Sequence, residues 1–102
     1  MTPEGRVKAG IKKLLITLGA WFYMPVSNGM GVAGIPDFIV CWKGWFIAIE
    51  CKAPGKQAPV DMLTANQARQ IKAINAAGGI AIVVSSVRQC IEMLKLSIAV
   101  SR

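Results

Sequence analysis

The stretch Ile35 to Lys52, IPDFIVCWKGWFIAIECK, constrains this chain more than any other. Two runs rich in Phe, Ile, Val and Trp, Asp37–Trp42 and Trp45–Lys52, flank Lys43-Gly44, and a glycine in a two-residue connection between such runs predicts a β-hairpin. Lys-Gly is a weaker turn signal than Asn-Gly, so the turn type stays open. A two-residue loop nevertheless fixes the register. Trp42 falls opposite Trp45, Cys41 opposite Phe46, Val40 opposite Ile47, Ile39 opposite Ala48, Phe38 opposite Ile49, and Asp37 opposite Glu50.

Directly opposed residues share a face, with Cβ atoms roughly 4.5–5.5 Å apart. Lys52, two residues beyond Glu50, shares it too. The hairpin thus gathers Asp37, Glu50 and Lys52 at one end of an apolar ribbon. Two carboxylates at about 5 Å repel by roughly 3 kcal/mol at an effective dielectric near 20. A lysine relieves part of this and a divalent cation more, and hard cations such as Mg²⁺ are held by one or two carboxylates together with substrate phosphates. The plainer reading makes Asp37 a turn residue after Pro36 and Glu50–Lys52 an exposed ion pair. Glu50, however, ends the near-continuous apolar run Trp-Phe-Ile-Ala-Ile, the pattern of a strand buried on both faces, where a carboxylate needs a partner or a metal.

Composition narrows the chemistry. The chain has no histidine, which excludes Ser-His-Asp and Cys-His catalysis and histidine-ligated metals, and leaves Asp, Glu, Lys and a metal as the available chemistry. Twelve Lys and Arg stand against five Asp and Glu, a net charge of +7 that points to a polyanionic partner, most often nucleic acid. Three cysteines, odd in number and without CxxC spacing, argue against a disulfide framework or zinc site and favour a reducing, cytoplasmic setting. At 102 residues the chain makes one domain, and its 54% hydrophobic content is high for a monomer. No apolar run reaches about 18 residues, so no membrane span is expected. Lys12-Lys13 before a short apolar run only faintly matches a secretory leader, and amphipathic-helix periodicity explains it better.

Thr2-Pro3-Glu4 is a helix start, and Val7, Ile11, Leu14, Leu15 and Leu18 form an inward stripe closed by Gly19. Glu4 falls on that stripe, either complementing the helix dipole or adding a carboxylate near the site. Arg6, Lys8 and Lys12 lie mostly on other faces and are candidate phosphate contacts. Trp21–Met24 reads as a short strand. Ser27–Gly34 is a glycine-rich loop leading to Asp37, with Asn28 a candidate backbone contact. Ala53–Leu63 is a loop exposing Lys56. Thr64–Ala77 is a second helix with a stripe of Ala65, Ala68, Ile71, Ile74 and Ala77, ended by Gly78-Gly79. Thr64 and Gln67 fit a capping box, while Arg69 and Lys72 lie off the stripe, open to a nucleic-acid backbone. Ile80–Val84 is a buried strand reached through a helix, hence parallel to the second hairpin strand. Ser85 or Ser86 caps a last helix over Val87–Leu96. The order is α-β-β-β-α-β-α, an α/β sandwich around a mixed sheet.

Gly34-Ile-Pro-Asp37 with Glu50-Cys-Lys52 resembles the split PD…(D/E)xK pattern of restriction-endonuclease-like nucleases. Thr2-Pro3-Glu4, Asn28-Gly29, Leu63-Thr-x-x-Gln67 and Gly78-Gly79 extend the resemblance to the VRR-NUC (virus-type replication-repair nuclease) domain in its stand-alone phage or bacterial form, over about residues 2–86. The resemblance implies the restriction-endonuclease-like α-β-β-β-α-β core, flanked by helices, plus a C-terminal helix. It implies that Asp37, Glu50 and the backbone carbonyl of Cys51 ligate Mg²⁺ or Mn²⁺, that Lys52 positions the attacking water, and that Glu4 and Gln67 belong to the site. It further implies a homodimeric DNA endonuclease similar to Holliday-junction resolvases. Two rivals stand beside it: a catalytically idle nucleic-acid-binding module on the same fold, and an oligomeric scaffold with no nucleic-acid partner, which a salt titration of DNA binding would distinguish.

Overall fold

The computed structural model describes residues 1–26 and 31–101. Helix α1 (Pro3–Thr17) leads to strand β1 (Trp21–Tyr23). The hairpin β2 (Phe38–Trp42) and β3 (Trp45–Cys51) follows, then helix α2 (Ala65–Ala76), strand β4 (Ile80–Val84) and helix α3 (Val87–Ser101). The sheet order is β1-β2-β3-β4, antiparallel except for the parallel β3–β4 pair. This is the mixed α/β architecture expected from the sequence, with a single 3₁₀ turn at Pro59–Met62 inside the expected loop.

The hairpin register is the one the two-residue loop dictates, from Trp42↔Trp45 to Phe38↔Ile49. Lys43 (φ 49°) and Gly44 (φ 81°) both take positive φ, the mark of a type I′ turn whose twist matches that of the strands it joins. Strand alternation sends Phe38, Val40, Ile47, Ile49, Cys51, Ile80, Ile82 and Val84 to one face. There they pack with Val7, Ile11 and Leu15 of α1 and Cys90 and Leu94 of α3. The Trp42 indole donates to the Leu18 carbonyl at 3.2 Å, tying the end of α1 to the hairpin.

The opposite face carries Phe46, Ala48, Glu50 and Lys52, and α2 lies over its β4 side. Asn75 donates to the Ala81 carbonyl (3.1 Å) and accepts from the Ala81 amide (2.8 Å). None of the α2 stripe is fully buried: Ile71 and Ile74 are half-buried, while Ala65, Ala68 and Ala77 are exposed. Short alanine side chains and a lone overlying helix account for this difference from the sequence expectation. Leu18 is likewise exposed, because it falls at the helix cap. The last helix runs past the expected Leu96 to Ser101, since Leu96-Ser-Ile-Ala-Val contains no helix breaker. Among the described residues no helix is long and apolar enough to cross a membrane.

Gly34 fixes the approach to Asp37. Its φ is +84°, and a Cβ there would overlap the backbone of Asn66 and Gln67 at the start of α2. Gly34→Ala is therefore expected to destabilise the fold by about 3 kcal/mol through overpacking and a strained backbone, measured by urea denaturation.

Candidate active site

Glu50 and Lys52 end up buried, at 3% and 8% exposure, as the only buried charged side chains among the described residues. A buried carboxylate must be compensated, and here the compensation is a chain of contacts. Glu50 Oε2 accepts from Gln67 Nε2 at 3.2 Å and lies 3.6 Å from Lys52 Nζ. Lys52 Nζ donates to Gln67 Oε1 at 2.9 Å. The same Oε1 accepts from the Thr64 amide at 2.9 Å, while the Thr64 hydroxyl accepts from the Gln67 amide at 3.1 Å. The capping box and the site contact therefore coexist in one side chain, two roles that its sequence position left as alternatives. Gln67 bridges the acid and the amine and is itself held by the helix start. Gln67→Ala is expected to lower turnover about 10- to 100-fold, with a smaller change in substrate affinity, read from steady-state kinetics.

Asp37 sits just before β2. Its Oδ2 accepts from the Cys51 amide at 2.9 Å and its Oδ1 pairs with Lys8 Nζ at 3.1 Å. Continuing the hairpin register past Phe38↔Ile49 sets Pro36 opposite Cys51. Proline has no N–H, so it cannot donate to the Cys51 carbonyl in the ladder, while the Cys51 amide donates to the Asp37 side chain. The Cys51 thiol points to the core, where burial pushes its pKa upward, leaving only its backbone available to the site.

The electrostatics tie these groups together. Burial, and then the charge of Asp37, raise the Glu50 carboxyl to about 7, against the lowering pull of Lys52; Glu4 adds to the rise and a hydrogen bond from the Asp37 backbone opposes it. Lys8 loses hydration to partial burial, yet the hydrogen bond and charge of Asp37, with Glu4 behind them, hold its pKa above the ordinary value. Glu4 and Lys8, one turn apart on α1, thus both act on the carboxylate pair. Lys8, a candidate phosphate contact from sequence, is engaged with Asp37, a pairing that only the docking of α1 against the hairpin creates.

The other basic candidates are dispersed. Arg6, Lys12, Lys56, Arg69 and Lys72 are exposed, with Arg69 Nη1 donating to Asn66 Oδ1 at 2.7 Å. Asn28 lies outside the described residues. Among the described residues no three His, Cys, Asp or Glu side chains cluster as a metal site. The donors suited to a hard cation are the two carboxylates and the carbonyl of Cys51. Glu50, with its charged form opposed by burial and by Asp37, is the group a cation would relieve, so the donor set fits one.

An antiparallel hairpin delivering two acids and a lysine, extended by a parallel strand and flanked by helices, defines the restriction-endonuclease-like class. No protein-family model and no curated protein sequence matches the chain. A solved structure described as a VRR_NUC domain is 25% identical, with a TM-score of 0.74 over 93% of this chain and 97% of that one. The resemblance carried by the motifs extends to the whole fold, which is that of the VRR_NUC domain structure.

Proposed function

We propose that this protein is a metal-dependent endodeoxyribonuclease that hydrolyses phosphodiester bonds in branched or otherwise structured DNA. The observation that carries the reading is the Glu50–Gln67–Lys52 contact chain set beside Asp37 at one end of the hairpin. Asp37, Glu50 and the Cys51 carbonyl would hold Mg²⁺ or Mn²⁺. When bound, such a cation supplies charge compensation for the phosphodiester and makes a water easier to deprotonate. The chain's own residues do the rest. Lys52, fixed by Gln67 Oε1 and Glu50, presents its ammonium to orient the attacking water and to stabilise charge as it develops. Gln67 keeps the amine from drifting, and Lys8 and the Cys51 amide fix the two oxygens of Asp37. Arg6, Lys12, Lys56, Arg69 and Lys72 supply positive charge for the DNA backbone. A homodimer accounts for the exposed Ile16, Leu96 and Val100 on the helical side. An idle binding module would have no use for a buried acid–amide–amine chain.

Incubating the protein with flap, splayed-arm, four-way and blunt duplex DNA, in Mg²⁺, Mn²⁺ or EDTA, tests this reading. Cleavage of a branched substrate in the divalent cation but not in EDTA is expected. Binding without cleavage under every cation would favour the idle module.

A further inference from the structure

Beyond the carboxylate site, the half of the sheet that α2 leaves uncovered carries aromatic side chains into solvent. Trp21 and Tyr23 project from β1 at 64% and 55% exposure, on the same face as half-buried Ile39 and exposed Cys41, while Phe22 between them packs inward on Phe38. Register links this face to the site. Tyr23 pairs with Ile39, and Asp37 lies two residues before Ile39, so Tyr23 is a diagonal cross-strand neighbour of Asp37, at roughly 7–8 Å. Tyr23, Lys8 and Asp37 line one cavity of about 380 Å³, walled on its apolar side by Val26, Val32 and Ile35. That size is within the range of small-ligand pockets, and its walls combine an aromatic ring, a cation and aliphatic contacts.

We propose that Tyr23 is a base-stacking residue: it receives an unpaired nucleobase of the substrate next to the phosphate engaged at the Asp37 end of the cavity. The inference rests on the nuclease reading and names the feature of structured DNA that the site selects. A paired base has both faces covered within the duplex, whereas an unpaired one gains by stacking on an exposed ring, and every base offers such a π-face. The occupant is a nucleic-acid strand because the open face is continuous with the cavity holding Asp37 and Lys8, in a chain of net charge +7.

The test compares wild type, Tyr23→Phe and Tyr23→Ile in EDTA, where turnover is suppressed. Isoleucine keeps the strand propensity and apolar bulk of the edge strand but removes the ring. Probes are a short single strand containing 2-aminopurine and a blunt duplex of the same sequence. Tyr23→Ile is expected to weaken single-strand binding by about 5- to 100-fold and to abolish the stacking quench of 2-aminopurine. Tyr23→Phe is expected to retain both, and duplex affinity to stay unchanged throughout. Wild-type single-strand affinity in Tyr23→Ile, equal loss on the duplex, or conversion of the variant to a smaller oligomer would overturn the stacking role, the last by showing that a second copy covers this face. If wild type cleaves branched DNA in Mg²⁺ while Tyr23→Ile binds normally, the stacking role alone falls. If wild type neither binds nor cleaves DNA, the nuclease reading falls with it.

Discussion

Asp37→Asn is expected to lower cleavage of the best branched substrate by about 1000-fold while leaving the fold and DNA binding nearly intact. Asparagine keeps an oxygen to accept from the Cys51 amide, so the local hydrogen bond survives. The negative charge that faces both Lys8 and the proposed cation does not. Asp37→Ala is the poorer probe, since it would leave the Cys51 amide without its acceptor and add a stability loss of about 1–3 kcal/mol. Circular dichroism and fluorescence anisotropy on the asparagine variant separate chemistry from folding and binding. Cleavage at the wild-type rate would remove Asp37 from the site.

The second large effect is a pH dependence with an unusual sign. In the unfolded chain Glu50 ionises near 4.5, whereas in the cation-free fold its carboxyl is raised to about 7. Between these values the native state holds a proton that the unfolded chain has released. A stability contribution from Glu50 is therefore lost as pH rises from about 4.5 to 7, by up to about 3 kcal/mol, and is constant on either side. Urea denaturation in EDTA at pH 5 and pH 8 should show wild type weaker at the higher pH, and Glu50→Gln should remove most of the difference. Adding Mg²⁺ or Mn²⁺ at pH 8 should raise the melting temperature of wild type, because a ligand binding only the folded form stabilises it. An identical pH profile for wild type and Glu50→Gln would show that burial costs this carboxylate little.

How much of this was legible in the residues follows from the range of the interactions. The hairpin is readable because a two-residue loop leaves one register, which runs to Phe38↔Ile49, the pair next to Asp37 and Glu50. The type I′ turn was not, since Lys43 in the left-handed region is an uncommon choice. Helix starts at Thr2 and Thr64 were local signals and appear as such, each with its hydroxyl accepting a backbone amide. The Lys8–Asp37 pair, by contrast, joins residues that only tertiary docking brings near, and on a helix rich in lysine nothing singled one out. Gln67 was recognisable as a cap, but not as a residue serving cap and site through one oxygen. The shallow seating of α2 is not legible, because alanine periodicity does not distinguish a buried stripe from a lightly covered one. Trp-Phe-Tyr as a strand puts its first and third rings on one face, but only the pairing of β1 with β2 sets Tyr23 near Asp37.

The account depends on the acids at the end of the hairpin sharing a divalent ion, and calorimetric titration with Mn²⁺ measures that without reference to any substrate. Saturable binding by wild type, lost in both Asp37→Asn and Glu50→Gln, is the predicted result. Failure of wild type to bind Mn²⁺, or binding by either variant as tight as that of wild type, would contradict it.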